Sequence, residues 1–336
     1  MYVAPRPLLA DDPLYAIRLA CAVTLALLLA MWLNSPMPML MPAMTLGLIA
    51  GIRQRFSAKK AFGGPLAMIF IISFYAALVA LTRPMPGVLL VVILASCVFA
   101  YFIILRSGSP TGMLLLMGAV LMSVMGMHSL TIMFVMRDAF IEACLGALII
   151  IPLLYWLLPP HNNTPFIEVY EPDQRGEHAL RALIRGLVLM LLIFWLYTVV
   201  DSSNIMLAMA GVFVLVFPTR ERQFAEAWER TFATFVGGGM ALLILAVFYY
   251  AAHISILFLL LFLVALFLGN KMLHGRYPPM VYQFALSVTI ALVVGALSSK
   301  APLGYTGMRI FLTLAGALTA AVLTSFLERL LITEKH

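Results

Sequence analysis

GVLLVVILASCVFAYFIIL, residues 87–105, is nineteen consecutive residues without a charge, with Arg83 before it and Arg106 after it. As an α-helix it would be about 28 Å long, close to the thickness of a bilayer's hydrocarbon core. Working outward, similar apolar runs occupy about 14–33, 36–52 and 64–82 before it and 111–129 and 138–158 after it. A polar stretch follows, then further runs at about 181–200, 203–218, 232–252, 254–270, 279–297 and 307–327. Twelve spans of roughly 20 residues would consume about 240 residues, most of a 336-residue chain. The fold class expected is therefore an all-α polytopic membrane protein of about 12 transmembrane helices.

The bulk composition agrees: 64% of residues are hydrophobic and 10% charged, against roughly 45–50% and about 25% in soluble domains. Soluble enzymes, nucleic-acid modules and disordered proteins are thereby excluded. Cys21, Cys97 and Cys144 fall inside apolar runs without CxxC spacing, and read as small hydrophobes. The opening MYVAPRPLLADDP lacks the pattern of a cleaved signal peptide. The short run 36–52 carries Pro36, Pro38 and Pro42 and is expected to be kinked or partly unwound. Residues 159–180 hold four prolines and most of the central charge. They read as a cytoplasmic linker between membrane regions at 1–158 and 181–336.

The net charge of +7 is topological, since cationic loops stay in the cytoplasm. With both termini inside, only Arg83, Arg137, Lys300 and Arg309 fall outside, and 17 of the 21 cations lie on the inner side. Each half then crosses the membrane an even number of times. The halves also resemble each other. Ile17-Arg18 matches Ile184-Arg185, and Arg53-Gln54-Arg55 matches Arg220-Glu221-Arg222, both at an offset of 167. Pro110 and Gly126 match Pro279 and Gly295 at 169, and Arg137 matches Arg309 at 172. Ordered matches with slowly drifting offsets indicate two parallel six-helix repeats, N-in and C-in. Such repeats place a pseudo-two-fold axis along the membrane normal, and transporter sites often lie at repeat interfaces.

One further match is Lys60-x-x-Gly63-Gly64-x-x-Ala67 with Arg230-x-x-Ala233-Thr234-x-x-Gly237. A basic loop before an Arg-x-x-Gly-Thr-x-x-Gly third helix resembles the fusaric acid resistance (FUSC) and aromatic acid exporter family. So do an Arg opening the first helix of each repeat and another opening the last. Departures are Lys60 for Arg, Gly64 for Thr and Ala233 for Gly. Family members often carry a large soluble domain after the membrane unit; here only the linker stands in that place, so the resemblance is to a compact two-repeat form. It implies a bacterial inner-membrane efflux component for aromatic or other organic acids, commonly working with a periplasmic membrane-fusion adaptor.

Ionisable residues inside a span are functional candidates by default. Asp138 and Glu142 are four apart near the start of the sixth run and share a helix face. Two carboxylates in low dielectric would hold one proton near neutrality, as proton coupling requires. Arg137 beside them could pair with an acid or attract an anion. The plain alternative is an interfacial ion pair that sets helix depth. His128 is a third proton-coupling candidate, although a histidine at a loop is more often structural. Arg309, Arg18 and Arg185 are candidates for binding a substrate carboxylate, with interfacial anchoring as the alternative. The loop 220–230 is expected to be a short surface helix, because Arg222, Glu226 and Arg230 alternate charge at i,i+4.

The 22 methionines include Met122, Met125 and Met127 beside His128, which would suit Cu(I), but apolar filling accounts for them. No metal, cofactor or catalytic residue is expected, since no phosphate loop, zinc motif or Ser–His–Asp set is present. Expected partners are the lipid bilayer, a small organic anion, the adaptor and a possible second copy of the chain, with no nucleic acid. A proton-driven exporter of aromatic acids is the leading reading. Two others stand beside it. One is a major-facilitator-like transporter, against which the loop after the second run lacks Gly-x-x-x-Asp-Arg. The other is a non-transporting scaffold for an adaptor complex.

Overall fold

The computed structural model describes residues 12–52, 56–161, 178–198, 220–298 and 302–331. They form helices α1 (Tyr15–Trp32), α2 (Leu40–Ala50), α3 (Ala58–Thr82), α4 (Pro86–Ser107), α5 (Pro110–His128) and α6 (Leu130–Leu157). After the linker come α7 (His178–Thr198), α8 (Arg220–Tyr250), α9 (Ile254–His274), α10 (Pro279–Ser298) and α11 (Pro302–Leu331). Nine of these are long and apolar enough to cross a membrane among the described residues, and the chain is a multi-pass membrane protein. The run at 203–218 lies outside the described residues.

Local chemistry explains the breaks. α4 ends on Gly108, whose φ of 63° is a left-handed conformation that glycine adopts freely. Ser109 then caps α5 by accepting the Thr111 N–H at 3.3 Å, and Pro110 occupies the first helical position, where its missing N–H costs nothing. α1 ends where Asn34 turns at φ 52°. Pro36 and Pro38 follow, so the first part of the run 36–52 is turn and α2 has only 11 residues. At about 16 Å, α2 is too short to cross a bilayer alone. Inside the long helices, Pro65 and Pro152 are accommodated without a break, as membrane helices permit.

Two sequence expectations change. The sixth run begins as a helix at Leu130, so Arg137 and Asp138 lie two turns inside α6 rather than at its opening. Between α5 and α6 only Ser129 breaks the helix, and Leu-Thr-Ile-Met-Phe-Val-Met needs no loop. The expected separate surface helix at 220–230 is instead the first three turns of the 31-residue α8. Nothing between Arg230 and Thr231 interrupts the backbone, and the amphipathic turns continue into the apolar ones.

The chain divides into two compact units, each drawing helices from both halves of the sequence. The first contains α1, α2, α6 from Asp138, α8 from Phe232, α9 and α10. Its core is apolar and alanine-rich. Gly269 of α9 faces Ala16 and Leu19 of α1 so closely that a Cβ there would lie 3.0 Å from Leu19 Cδ2. Gly237 of α8 sits against the Ala285 carbonyl of α10, and the Thr289 hydroxyl donates across that contact to the Gly237 carbonyl at 3.1 Å. Close approach through small residues is how membrane helices gain contact without a hydrophobic drive.

The second unit contains α3 from Ala67, α4, α5, α7, α8 up to Thr231 and α11 from Phe311. Here α4 packs on α7, with Gly186 of α7 against Val98 of α4. α3 meets α5 where Gly118 lies against Ile71 and Tyr75. A smaller alanine cluster, Ala227, Ala317 and Ala321, joins α8 to α11.

Candidate functional site

Among the described residues the largest fully buried side chains are two arginines, Arg18 and Arg185, each at 0% exposure. A buried guanidinium is tolerable only when paired, and each unit supplies its own pairing.

In the first unit, Arg18 lies one turn into α1 and forms an ion pair with Asp12, also fully buried. Asp12 belongs to the start of the same helix: its carboxylate accepts the Leu14 N–H at 3.2 Å and its carbonyl accepts the Tyr15 N–H at 3.0 Å. The other face of the guanidinium lies 4.5 Å from the centre of the Tyr155 ring. Cation–π contact of this kind strengthens when water is excluded. Tyr155 comes from the end of α6, and its hydroxyl donates to the Ile52 carbonyl. Its ring also meets Phe56 at 5.2 Å. The exposed His161 brings Nδ1 to 3.9 Å from Asp12.

In the second unit, Arg185 lies two turns into α7. Its Nε and Nη2 both donate to Oε1 of Glu328 on α11, at 3.2 and 3.1 Å. Glu328 keeps 15% exposure. Arg185 also interacts electrostatically with Tyr101 of α4 and with Arg181, one turn earlier on α7. Tyr101 is at 0% exposure, and its hydroxyl has no hydrogen-bond partner among the described residues. The hydroxyl of Thr324, one turn before Glu328 on α11, is likewise buried and without a partner there.

The other sequence candidates are dispersed. Arg137 is half-buried on α6 with its guanidinium 4.9 Å from the Phe134 ring centre. Asp138 is exposed, whereas Glu142, one turn later, is half-buried. Glu142 Oε1 is shielded from solvent with no hydrogen-bond partner among the described residues. His128 is exposed at the end of α5. Arg309 is in α11, but its side chain lies outside the described residues. Arg137, Asp138 and Glu142 all lie on α6, with Asp138 and Glu142 one turn apart. No group of three or more His, Cys, Asp or Glu suited to a metal occurs among the described residues.

An open apolar groove of about 480 Å³ runs between α4 and α7, with Phe99 and Phe102 on its wall. It has no polar group to orient a solute and suits acyl chains.

Sequence reasoning singled out both buried arginines but none of their partners. Asp12 sits six residues before Arg18, just ahead of the first apolar run. Glu328 falls one residue beyond the last run as read from hydropathy, and so passed for a polar tail. A rule that examines acids within a turn of each run's end would have found both.

Neither the curated proteins nor the solved structures include a match to this chain. Residues 188–323 match the model of the fusaric acid resistance protein-like family; Arg230, Ala233, Thr234, Gly237 and Arg309 lie inside that stretch, so the family resemblance is shown, carried by the second half of the chain.

Proposed function

We propose that this protein is a secondary exporter of small organic acids, chiefly aromatic ones, working in a bacterial inner membrane and drawing on the proton gradient. The observation that carries the reading is the fusaric acid resistance protein-like match within a chain made almost wholly of membrane helices. Fusaric acid, named in the family's description, is an aromatic carboxylic acid. An inner-membrane exporter of this kind would deliver its substrate to a periplasmic adaptor.

In this reading the transporter is duplicated, with about twelve spans and both termini in the cytoplasm, and two structural features support the duplication. First, α1 packs on α9 in one unit and α7 packs on α4 in the other, which is the same pairing after exchange of the sequence halves. Second, the glycine at each crossing sits on the opposite member of the pair: Gly269 faces Leu19, whereas Gly186, 167 residues beyond Leu19, faces Val98. Drifted repeats keep the close approach while moving the small residue.

Glu142 is the residue we assign to proton exchange. Its Oε1 is shielded from solvent with no hydrogen-bond partner among the described residues, and an ionisable side chain within a span is a functional candidate. Asp138, exposed one turn away, would pass the proton outward. The test is purified protein in liposomes with an imposed pH gradient and labelled 4-hydroxybenzoate. Wild type should accumulate or expel the acid against its gradient, and Glu142→Gln should retain folding while losing gradient-driven movement. Unchanged movement in Glu142→Gln would remove the proton assignment; no movement of any acid by wild type, with stable adaptor binding, would favour the scaffold.

A further inference from the structure

We propose that the Arg185 centre is a carboxylate-binding site whose resting occupant is Glu328, and that Tyr101 and Thr324 complete it when a substrate carboxylate takes that occupant's place. This rests on the organic-acid reading above and adds the residues that would recognise the acid group.

The arrangement already holds a carboxylate. Arg185 directs Nε and Nη2 to a single oxygen, Oε1 of Glu328, instead of the two-to-two geometry that makes arginine–carboxylate pairs strongest. Glu328 is near the end of α11 and keeps partial exposure, so it has a way out to solvent. Arg185, at 0% exposure, has none. The two neighbouring hydroxyls are the unusual element. Buried hydroxyls nearly always find a partner, yet those of Tyr101 on α4 and Thr324 on α11 have none among the described residues. Tyr101 is within electrostatic reach of Arg185, and Thr324 shares the helix face of Glu328 at a spacing of four. A guanidinium with two hydroxyl donors matches a carboxylate, whose oxygens only accept.

The Arg18 centre supplies the control. There the tyrosine hydroxyl is committed to the Ile52 carbonyl and the acid comes from the helix's own start, so Tyr155 holds no hydroxyl in reserve for a second carboxylate.

Binding and flux are read separately, on the full chain. In detergent micelles, calorimetry with 4-hydroxybenzoate should show binding by wild type and none of the neutral 4-hydroxybenzamide. Tyr101→Phe and Thr324→Val each remove one donor and should weaken binding about tenfold. Glu328→Gln removes the internal competitor and should tighten it, while Tyr155→Phe should leave it unchanged. The proposal is overturned if wild type binds neither compound or both alike, if both donor variants bind as wild type does, or if Glu328→Gln weakens binding. Liposome flux separates the two claims. Wild type that binds with this variant pattern but moves no acid sinks the transport reading and keeps the site; normal flux and binding in every variant sinks the site and keeps the transport reading.

Discussion

Arg18 and Arg185 occupy matching places in the two halves, 167 residues apart, and both are buried completely. Their surroundings differ in kind. Arg18 is closed in by its own neighbourhood: the acid is six residues away, the aromatic ring covers the guanidinium, and the ring's hydroxyl is satisfied. Arg185 takes its acid from a helix 143 residues later, and two buried hydroxyls, Tyr101 within its electrostatic reach and Thr324 one turn before Glu328, have no hydrogen-bond partner among the described residues. Both centres have the arginine, and their partners differ. A centre whose tyrosine hydroxyl is already committed stabilises; a centre with a tyrosine hydroxyl to spare can also bind.

The largest expected effect probes the acids left behind. Arg18→Met would strand Asp12 at zero exposure, and should destabilise the protein by about 3–5 kcal/mol, read by thermal or denaturant unfolding in detergent. Arg185→Met leaves Glu328 with access to water and should cost only about 1–3 kcal/mol, the charge being partly solvated. Equal losses would mean that the two centres are energetically alike.

The helix crossings come next. A Cβ at residue 186 would lie 2.7 Å from Val98 Cγ2, on a stiff β-branched side chain, whereas one at 269 meets the flexible tip of Leu19 at 3.0 Å and the Ala16 backbone at 3.3 Å. Gly186→Ala should therefore fall near the top of the roughly 1–3 kcal/mol range for overpacking and Gly269→Ala near the bottom. The reverse order would show that the α1–α9 crossing is the tighter one.

The smallest effect is one of sign. Tyr155→Phe removes a satisfied hydroxyl and strands the Ile52 carbonyl, for a loss of about 1 kcal/mol. Tyr101→Phe removes a hydroxyl without a partner among the described residues and should be neutral or stabilising by up to about 1 kcal/mol. Destabilisation in both would place a hydrogen-bond partner at Tyr101 and weaken the binding proposal at its base.

Hydropathy made the membrane class and most of the helices legible, because a span's length and apolarity are local properties. Charge misled at two edges. Charge places Arg137 at a helix start, as at a membrane boundary, and alternating charge sets 220–230 apart as its own helix. Yet backbone hydrogen bonding runs through both, and neither charge breaks a helix. The repeat offsets pointed to Arg18 and Arg185, but offsets align helices without saying which pack together. That Tyr101 stands near Arg185, or Tyr155 over Arg18, depends on the α4–α7 and α1–α6 neighbourhoods, and no periodicity encodes those. Gly186 and Gly269 were unread for the same reason.

The exchange of helices between the sequence halves also sets an order of assembly. The Tyr15 hydroxyl of α1 reaches Met272 of α9, 257 residues onward, so α1 has α2 beside it early but must wait for α9. α4 and α7 are made much closer together and can dock while the ribosome is still producing α8. An arginine that must reside in lipid through that delay needs a counter-charge at once, and Asp12, synthesised just before Arg18, provides it. Arg185 has its packing partner early but its acid late. The local acid at one centre and the distant one at the other thus match the order of synthesis: the helix that must wait for α9 carries its own neutralising group.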